Sequence, residues 1–193
     1  LSVEFLSNNS SKNKLEYVKK LNSMGIEIDS SQVILSTDAS IMHLKQNNYK
    51  KGYIIGTDSM KKYLSQNKIV HSENNPDFIL LGYDTEINYE KISKASILIS
   101  SGLPYFATHN DKYCPTMAGP VPDAGSFIEL FKLATGREPL IFGKPQKYMA
   151  EYLVKNLRNI DDIVFIGDRL HTDFEMAKLI GLDFVCVLSG ETK

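Results

Sequence analysis

Short apolar runs, rich in β-branched and aromatic residues, recur at Val33–Leu35, Tyr53–Ile55, Phe78–Leu81, Tyr105–Ala107, Leu140–Phe142, Ile163–Ile166 and Phe184–Leu188. Runs of that length and make-up predict strands. Leu1–Leu6 alternates in polarity and reads as one more strand, already under way. Between the runs, apolar residues fall at helical spacing. Leu15, Val18 and Leu21 share a face, with Gly25 as the stop. Ile128, Leu130, Phe131 and Leu133 mark a second helix ended by Gly136; Tyr148, Met149, Tyr152 and Leu153 mark a third. Phe174, Met176, Ala177 and Ile180 mark a fourth, ended by Gly181. Strands alternating with helices predict an α/β fold with a mostly parallel sheet. From about residue 47 to 138 the pattern loosens and turn signals such as Asn74-Asn75-Pro76-Asp77 accumulate, as in an inserted second domain.

Composition changes this picture little. A length of 193 residues suits one large domain or two small ones, and 42% hydrophobic with 23% charged residues is ordinary globular material. A net charge of -1 without a long basic run argues against nucleic acid as a partner. No apolar stretch reaches membrane-spanning length and no signal peptide opens the chain, so a soluble cytoplasmic protein without a membrane partner is expected. Cys114 and Cys186 lack metal-ligand spacing, and Cys186 reads as a small core residue. Reduced thiols are the plainer reading, with a disulfide left open. The sequence lacks an initiator Met and stops soon after a strand, so it reads as part of a longer protein.

In open α/β sheets, ligands bind beyond the carboxyl ends of the strands. Four polar groups fall at such ends: Ser7-Asn8-Asn9-Ser10, Thr108-His109-Asn110-Asp111, Gly143-Lys144-Pro145 and Gly167-Asp168. Asp168, with Asp173 five residues later at the start of the next helix, offers the hard oxygens that Mg²⁺ prefers. A loop residue and a helix cap would give the same letters, so both readings stay open. Pro145 predicts the first position of a helix, which puts Lys144 near the N-cap, facing the unfavourable end of the dipole. A bound anion would reverse that penalty, whereas a solvent-pointing Lys is the plain alternative. Ser7–Ser11 supplies hydroxyls, amides and N–H groups that suit a phosphoryl group or an ordinary N-cap. His109 could position a substrate, although a lone loop histidine is more often just exposed. Tyr148 and Tyr152 read as packing residues.

Three of these groups in this order, SNNS at Ser7–Ser10, GKP at Gly143–Pro145 and GDRLHTD at Gly167–Asp173, resemble the second, third and fourth motifs of haloacid dehalogenase-type phosphatases. The detail is most similar to the NagD-like branch, which includes p-nitrophenylphosphatase and phosphoglycolate phosphatase. The resemblance covers nearly the whole chain. It implies a Rossmann-like core with a large α/β cap inserted between the second and third motifs: core over 1–46, cap over 47–138, core over 139–193. It implies a Mg²⁺-dependent phosphatase acting on a small phosphorylated metabolite through an aspartyl-phosphate, and it allows a homodimer through the cap. By resemblance Ser7 and Lys144 are catalytic, with Ser7 bonding the phosphoryl group and Lys144 neutralising its oxygens. Asn8, Asn9 and His109 join Lys144 at the phosphate or substrate, Asp168 binds the metal, and Asp173 supports it from behind.

The family's first motif, two aspartates two residues apart, carries the nucleophile, and no such pair occurs in this sequence. The resemblance therefore assigns the enzyme to the parent protein and predicts an inactive fragment. A non-catalytic phosphate-ligand-binding or oligomerisation module, and a phosphotransferase using the same chemistry, remain as alternatives.

Overall fold

A computed structural model describes residues 2–157 and 162–193; Leu1, the start of the expected opening strand, lies outside them. Phe5–Ser7 (β1) pairs in parallel with Val33–Leu35 (β2). Between them Lys14–Asn22 (α1) starts at a capping box, in which Asn13 accepts the Glu16 N–H and Glu16 accepts the Asn13 N–H. The expected apolar face is corrected here, since Leu15 is 61% exposed. The stripe lying against β2 is narrow and runs through the half-buried Tyr17, Val18 and Leu21.

After Ser36–Gln46 (α2), a parallel sheet takes over. Lys51–Ile55 (β3), Val70–His71 (β4), Phe78–Leu81 (β5), Tyr105–Ala107 (β6) and Leu140–Ile141 (β9) stand in the order β4-β3-β5-β6-β9. Side chains alternate across a strand, and both faces here are covered, which explains the continuous apolar runs. Ile54, Phe78, Leu80 and Phe106 pack with Leu44 of α2, with Met60 and Leu64 of Asp58–Gln66 (α3), and with Met149 and Leu153 of Lys147–Asn156 (α6). Tyr53, Ile55, Ile79, Leu81 and Tyr105 pack the other way. They meet Ala95 and Ile99 of Tyr89–Ser100 (α4) and Ile128 and Phe131 of Ala124–Thr135 (α5). A hairpin, Tyr113–Thr116 (β7) with Gly119–Pro122 (β8), stands between β6 and α5. Leu140–Ile141, in the expected third segment, pairs with β6, so this sheet runs past residue 138.

The last parallel pair is Val164–Gly167 (β10) with Asp183–Cys186 (β11). Leu170–Phe174 makes a π turn that leads into Glu175–Ile180 (α7). Gly136 and Gly181 close α5 and α7 with φ of 72° and 75°, left-handed values that favour glycine, as expected at both stops. Val164–Gly167 is a strand as expected, but among the described residues it has one strand neighbour, and Ile166 is 64% exposed. Cys186 is likewise half-buried rather than core, and both cysteines are free. Tyr148 does pack, edge-on to Phe142 and His43. Among the described residues no helix is long and apolar enough to cross a membrane.

Candidate active site

The loop after β1 is built by its own side chains. Ser7 Oγ accepts the Asn9 N–H at 3.2 Å, and Asn9 Oδ1 accepts the Ser11 N–H at 2.9 Å. Asn9 therefore shapes the turn. Ser7 Oγ also meets the Tyr17 hydroxyl at 3.3 Å, and burial raises the Tyr17 pKa, so that phenol keeps its proton at neutral pH. Asn8 reaches across to the GKP segment. Its Oδ1 accepts the Lys144 N–H at 2.8 Å, and its Nδ2 donates to the Lys144 carbonyl at 3.2 Å.

Lys144 departs from its expected setting. Gln146 is the N-cap of α6, which begins at Lys147, so Pro145 lies before the helix and Lys144 is not at its mouth. The dipole argument therefore does not hold. The lysine is buried at 8% exposure, and its Nζ donates to Asp173 Oδ1 at 2.6 Å and to the Leu6 carbonyl at 3.4 Å. A solvent-pointing side chain is ruled out, and burial of a charge demands a partner of this kind. Asp173 Oδ2 accepts the Arg169 N–H at 3.2 Å. Both its oxygens are engaged, and it sits in the π turn ahead of α7.

Asp168, just before that turn, is half-buried and accepts the Glu191 N–H through Oδ2 at 2.9 Å. Among the described residues its Oδ1 has no hydrogen-bond partner, which leaves one hard oxygen for a cation. The donor set thus fits Mg²⁺ at Asp168 and not at Asp173, whose oxygens already hold an ammonium and an amide. His109, Asp111 and Asp123 also bring ligand atoms within 4.8 Å of one another. Those atoms already have partners. His109 Nε2 meets Asp123 Oδ1 at 2.9 Å, and Asp111 faces Asn8 Nδ2 and Arg169 Nη1.

His109 is not the exposed loop histidine that its position suggested. It is fully buried, with Nδ1 on Thr108 Oγ1 at 2.9 Å, and Thr108 donates to Ser10 Oγ at 3.0 Å. Sequence reasoning missed Asp123, although an Asp just before the α5 pattern is a legible N-cap, and it accepts the Ala124 N–H. It also missed Tyr17 and Tyr83, for which no local signal exists. Burial and then Cys114 push the Tyr83 pKa up to about 12. Asn8, Lys144 and Asp173 are thus joined in one chain of hydrogen bonds, with Ser7 beside Asn8 in sequence and Asp168 five residues before Asp173. His109 belongs to a second, adjoining chain.

Residues 1–69 match the haloacid dehalogenase-like hydrolase family, and residues 141–193 match a HAD-hydrolase-like family. A dihydroxyacetone phosphatase of Corynebacterium glutamicum is 30% identical over 194 residues, spanning 98% of this chain and 70% of that protein. The chain belongs to the haloacid dehalogenase-like hydrolases. A 5'-nucleotidase of Bacillus subtilis, YutF, is 29% identical over 98% of this chain and 75% of its own length. The crystal structure of a 4-nitrophenylphosphatase from Thermotoga maritima superposes with a TM-score of 0.93 at 38% identity, covering 98% of this chain and 74% of that one. A NagD-like protein of known structure is similar at 37% identity and a TM-score of 0.91, covering 98% of this chain and 76% of that one. Within the haloacid dehalogenase-like hydrolases, then, this is a phosphatase of the NagD-like, p-nitrophenylphosphatase branch, with that group's capped α/β fold.

Proposed function

We propose that the protein hydrolyses the phosphomonoester of a small metabolite, with Mg²⁺ bound at Asp168 and the phosphoryl group passing through an aspartyl-phosphate. The observation that carries this reading is the buried Lys144 ammonium, which donates to the Leu6 carbonyl of β1 and to Asp173. Phosphoryl transfer spreads negative charge over equatorial oxygens, and a preorganised cation in a water-poor site stabilises it without reorganisation. Ser7 Oγ and the N–H groups of its loop supply neutral donors. Mg²⁺, when bound, would neutralise phosphoryl charge beside Asp168. The pair of aspartates two residues apart that this reading needs for its nucleophile does not occur among these 193 residues.

The division into core (1–46), cap (47–138) and core (139–193) belongs to the same proposal; the five-stranded sheet begins at Lys51 as that division expects, while its last strand, Leu140–Ile141, falls just past the proposed cap. Closure of the cap would exclude water other than the attacking one. Names of relatives such as phosphoglycolate phosphatase and glycerol phosphate phosphatase support a small phosphorylated substrate. Full-length protein assayed with p-nitrophenyl phosphate and Mg²⁺ should release phosphate, and chelation should stop it. Lys144→Ala should lower kcat by about 100- to 1,000-fold. Unchanged turnover in the variant removes Lys144 from the mechanism, and transfer to added alcohols in place of water makes the protein a phosphotransferase.

A further inference from the structure

Lys144 is anchored at both ends: Asp173 holds its ammonium, and its main chain has an anchor of its own. One carboxamide, Asn8, engages both polar groups of the Lys144 main chain, as a neighbouring strand would. Asn8 is 6% exposed, so these bonds form out of water. The orientation of its amide follows from its partners. The Lys144 N–H can only donate and requires the amide oxygen, whereas the Lys144 carbonyl and the Asp111 carboxylate can only accept and require the amide nitrogen. Asp111 receives that nitrogen at 3.3 and 3.4 Å through its two oxygens. Gly143 makes the approach feasible, since a Cβ there would lie 2.7 Å from Asn8 Oδ1 and 2.7 Å from the Thr108 carbonyl.

Asp111 stands in the segment after β6, on the five-stranded sheet. Its Oδ2 also meets Arg169 Nη1 at 3.4 Å, in the segment that carries Asp168 and Asp173. One carboxylate therefore touches both loops that hold the lysine, one through Asn8 and the other through Arg169.

We propose that Asp111 and Asn8 form a positioning relay, in which the Asp111 carboxylate sets the Asn8 amide and that amide fixes the Lys144 backbone, so that closure of the 47–138 segment brings the ammonium into register. The proposal rests on the phosphatase reading above. Asn8 in this account touches Lys144 and not the substrate. A misplacement of about 1 Å in such a group costs about 100-fold in rate.

The test is a four-protein cycle in the full-length enzyme with p-nitrophenyl phosphate: wild type, Asn8→Asp, Asp111→Asn and the double variant. Asn8→Asp sets two carboxylates against each other and should lower kcat about 100-fold, with KM moving less than about threefold. Asp111→Asn should cost about threefold, because its amide oxygen still accepts. In the double variant the amide introduced at position 111 can donate to the new carboxylate at position 8, and kcat should recover about tenfold over Asn8→Asp. A double variant no faster than Asn8→Asp overturns the relay.

A second readout needs neither turnover nor the acidic variant. In Asp111→Ala, hydrogen exchange of the Lys144 amide should speed up about tenfold while global stability holds. Unchanged exchange also overturns the proposal. Wild-type protein that leaves p-nitrophenyl phosphate intact would end the phosphatase reading, and the exchange result would still decide the relay.

Discussion

Phe78–Leu81 and Val164–Gly167 are both four-residue apolar strands, yet the first is buried at every position and the second at none. The difference lies in their neighbours. β5 has β3 and β6 on its two edges and helices over both faces, whereas among the described residues β10 has β11 as its one strand partner and sets Phe165 against the core. The site inherits the contrast. Thr108, His109 and Asp111 stand on packed hydrophobic scaffold, while Asp168 and Asp173 flank a two-stranded pair that joins the core through Phe165 and through Met176 of α7 and carries polar ties besides. Those ties are Lys144 to Asp173, Arg169 to Glu191, and the Glu191 N–H to Asp168.

The largest effect that could break this comparison is a core truncation. Phe78→Ala empties the space above Gly52, where a Cβ would collide with the ring, and should cost about 3–5 kcal/mol in urea unfolding. In the 193-residue chain, Ile166→Ala removes an apolar side chain that is 64% exposed and should cost less than about 1 kcal/mol. Comparable losses at the two positions would show that the exposed face of β10 is covered in solution.

How much of this was legible follows from the same contrast. Every strand of the five-stranded sheet except the two-residue β4 could be read, because burial on both faces writes a continuous apolar run. Helix α2 could not be read, since Ser36, Thr37 and Ser40 are buried polar residues and mask the helical period. α3 buries only Met60 and Leu64 fully, too few to stand out. At the site, Lys144 and Asp168 were visible as motif letters. The partnership of Asn8 with Lys144 joins residues 136 apart in sequence, and no local pattern encodes it. The same holds for Asp111 and Arg169. His109 misled because a polar residue after a strand resembles a loop residue until Asp123 arrives from the start of α5.

A middle-sized effect would sharpen the view that polar ties help secure the two-stranded pair. A Cβ on Gly167 would lie 2.5 Å from Asp173 Cβ, too close for either atom to stay put. Gly167→Ala should therefore push Asp173 away from Lys144 and cost about 1–3 kcal/mol. Hydrogen exchange should report the loss in residues 164–186, with the amides of β3 and β5 still protected. A uniform loss across both sheets would mean that they unfold as one unit.

The smallest effect tests whether the packed sheet also depends on a polar tie at its edge. His71 Nδ1 accepts the Ile54 N–H at 3.0 Å, so the neutral ring carries its proton on Nε2 and donates it to Glu73 at 2.8 Å. That bond, with Lys94 at 3.6 Å adding attraction, holds the Glu73 carboxyl below its ordinary range. A depressed acid pKa favours the folded state when the group is ionised. The contribution is complete above the unfolded carboxylate pKa and disappears as pH falls through the lower folded value. Glu73 is more than half exposed, and solvent screening keeps the contribution below about 1 kcal/mol. Glu73→Gln should lower stability by less than about 1 kcal/mol at pH 7 and by nothing once the pH is below both values. Paired urea titrations at the two pH values check this. A deficit that persists in acid would assign the loss to packing of the side chain and leave the β4 edge without an electrostatic tie.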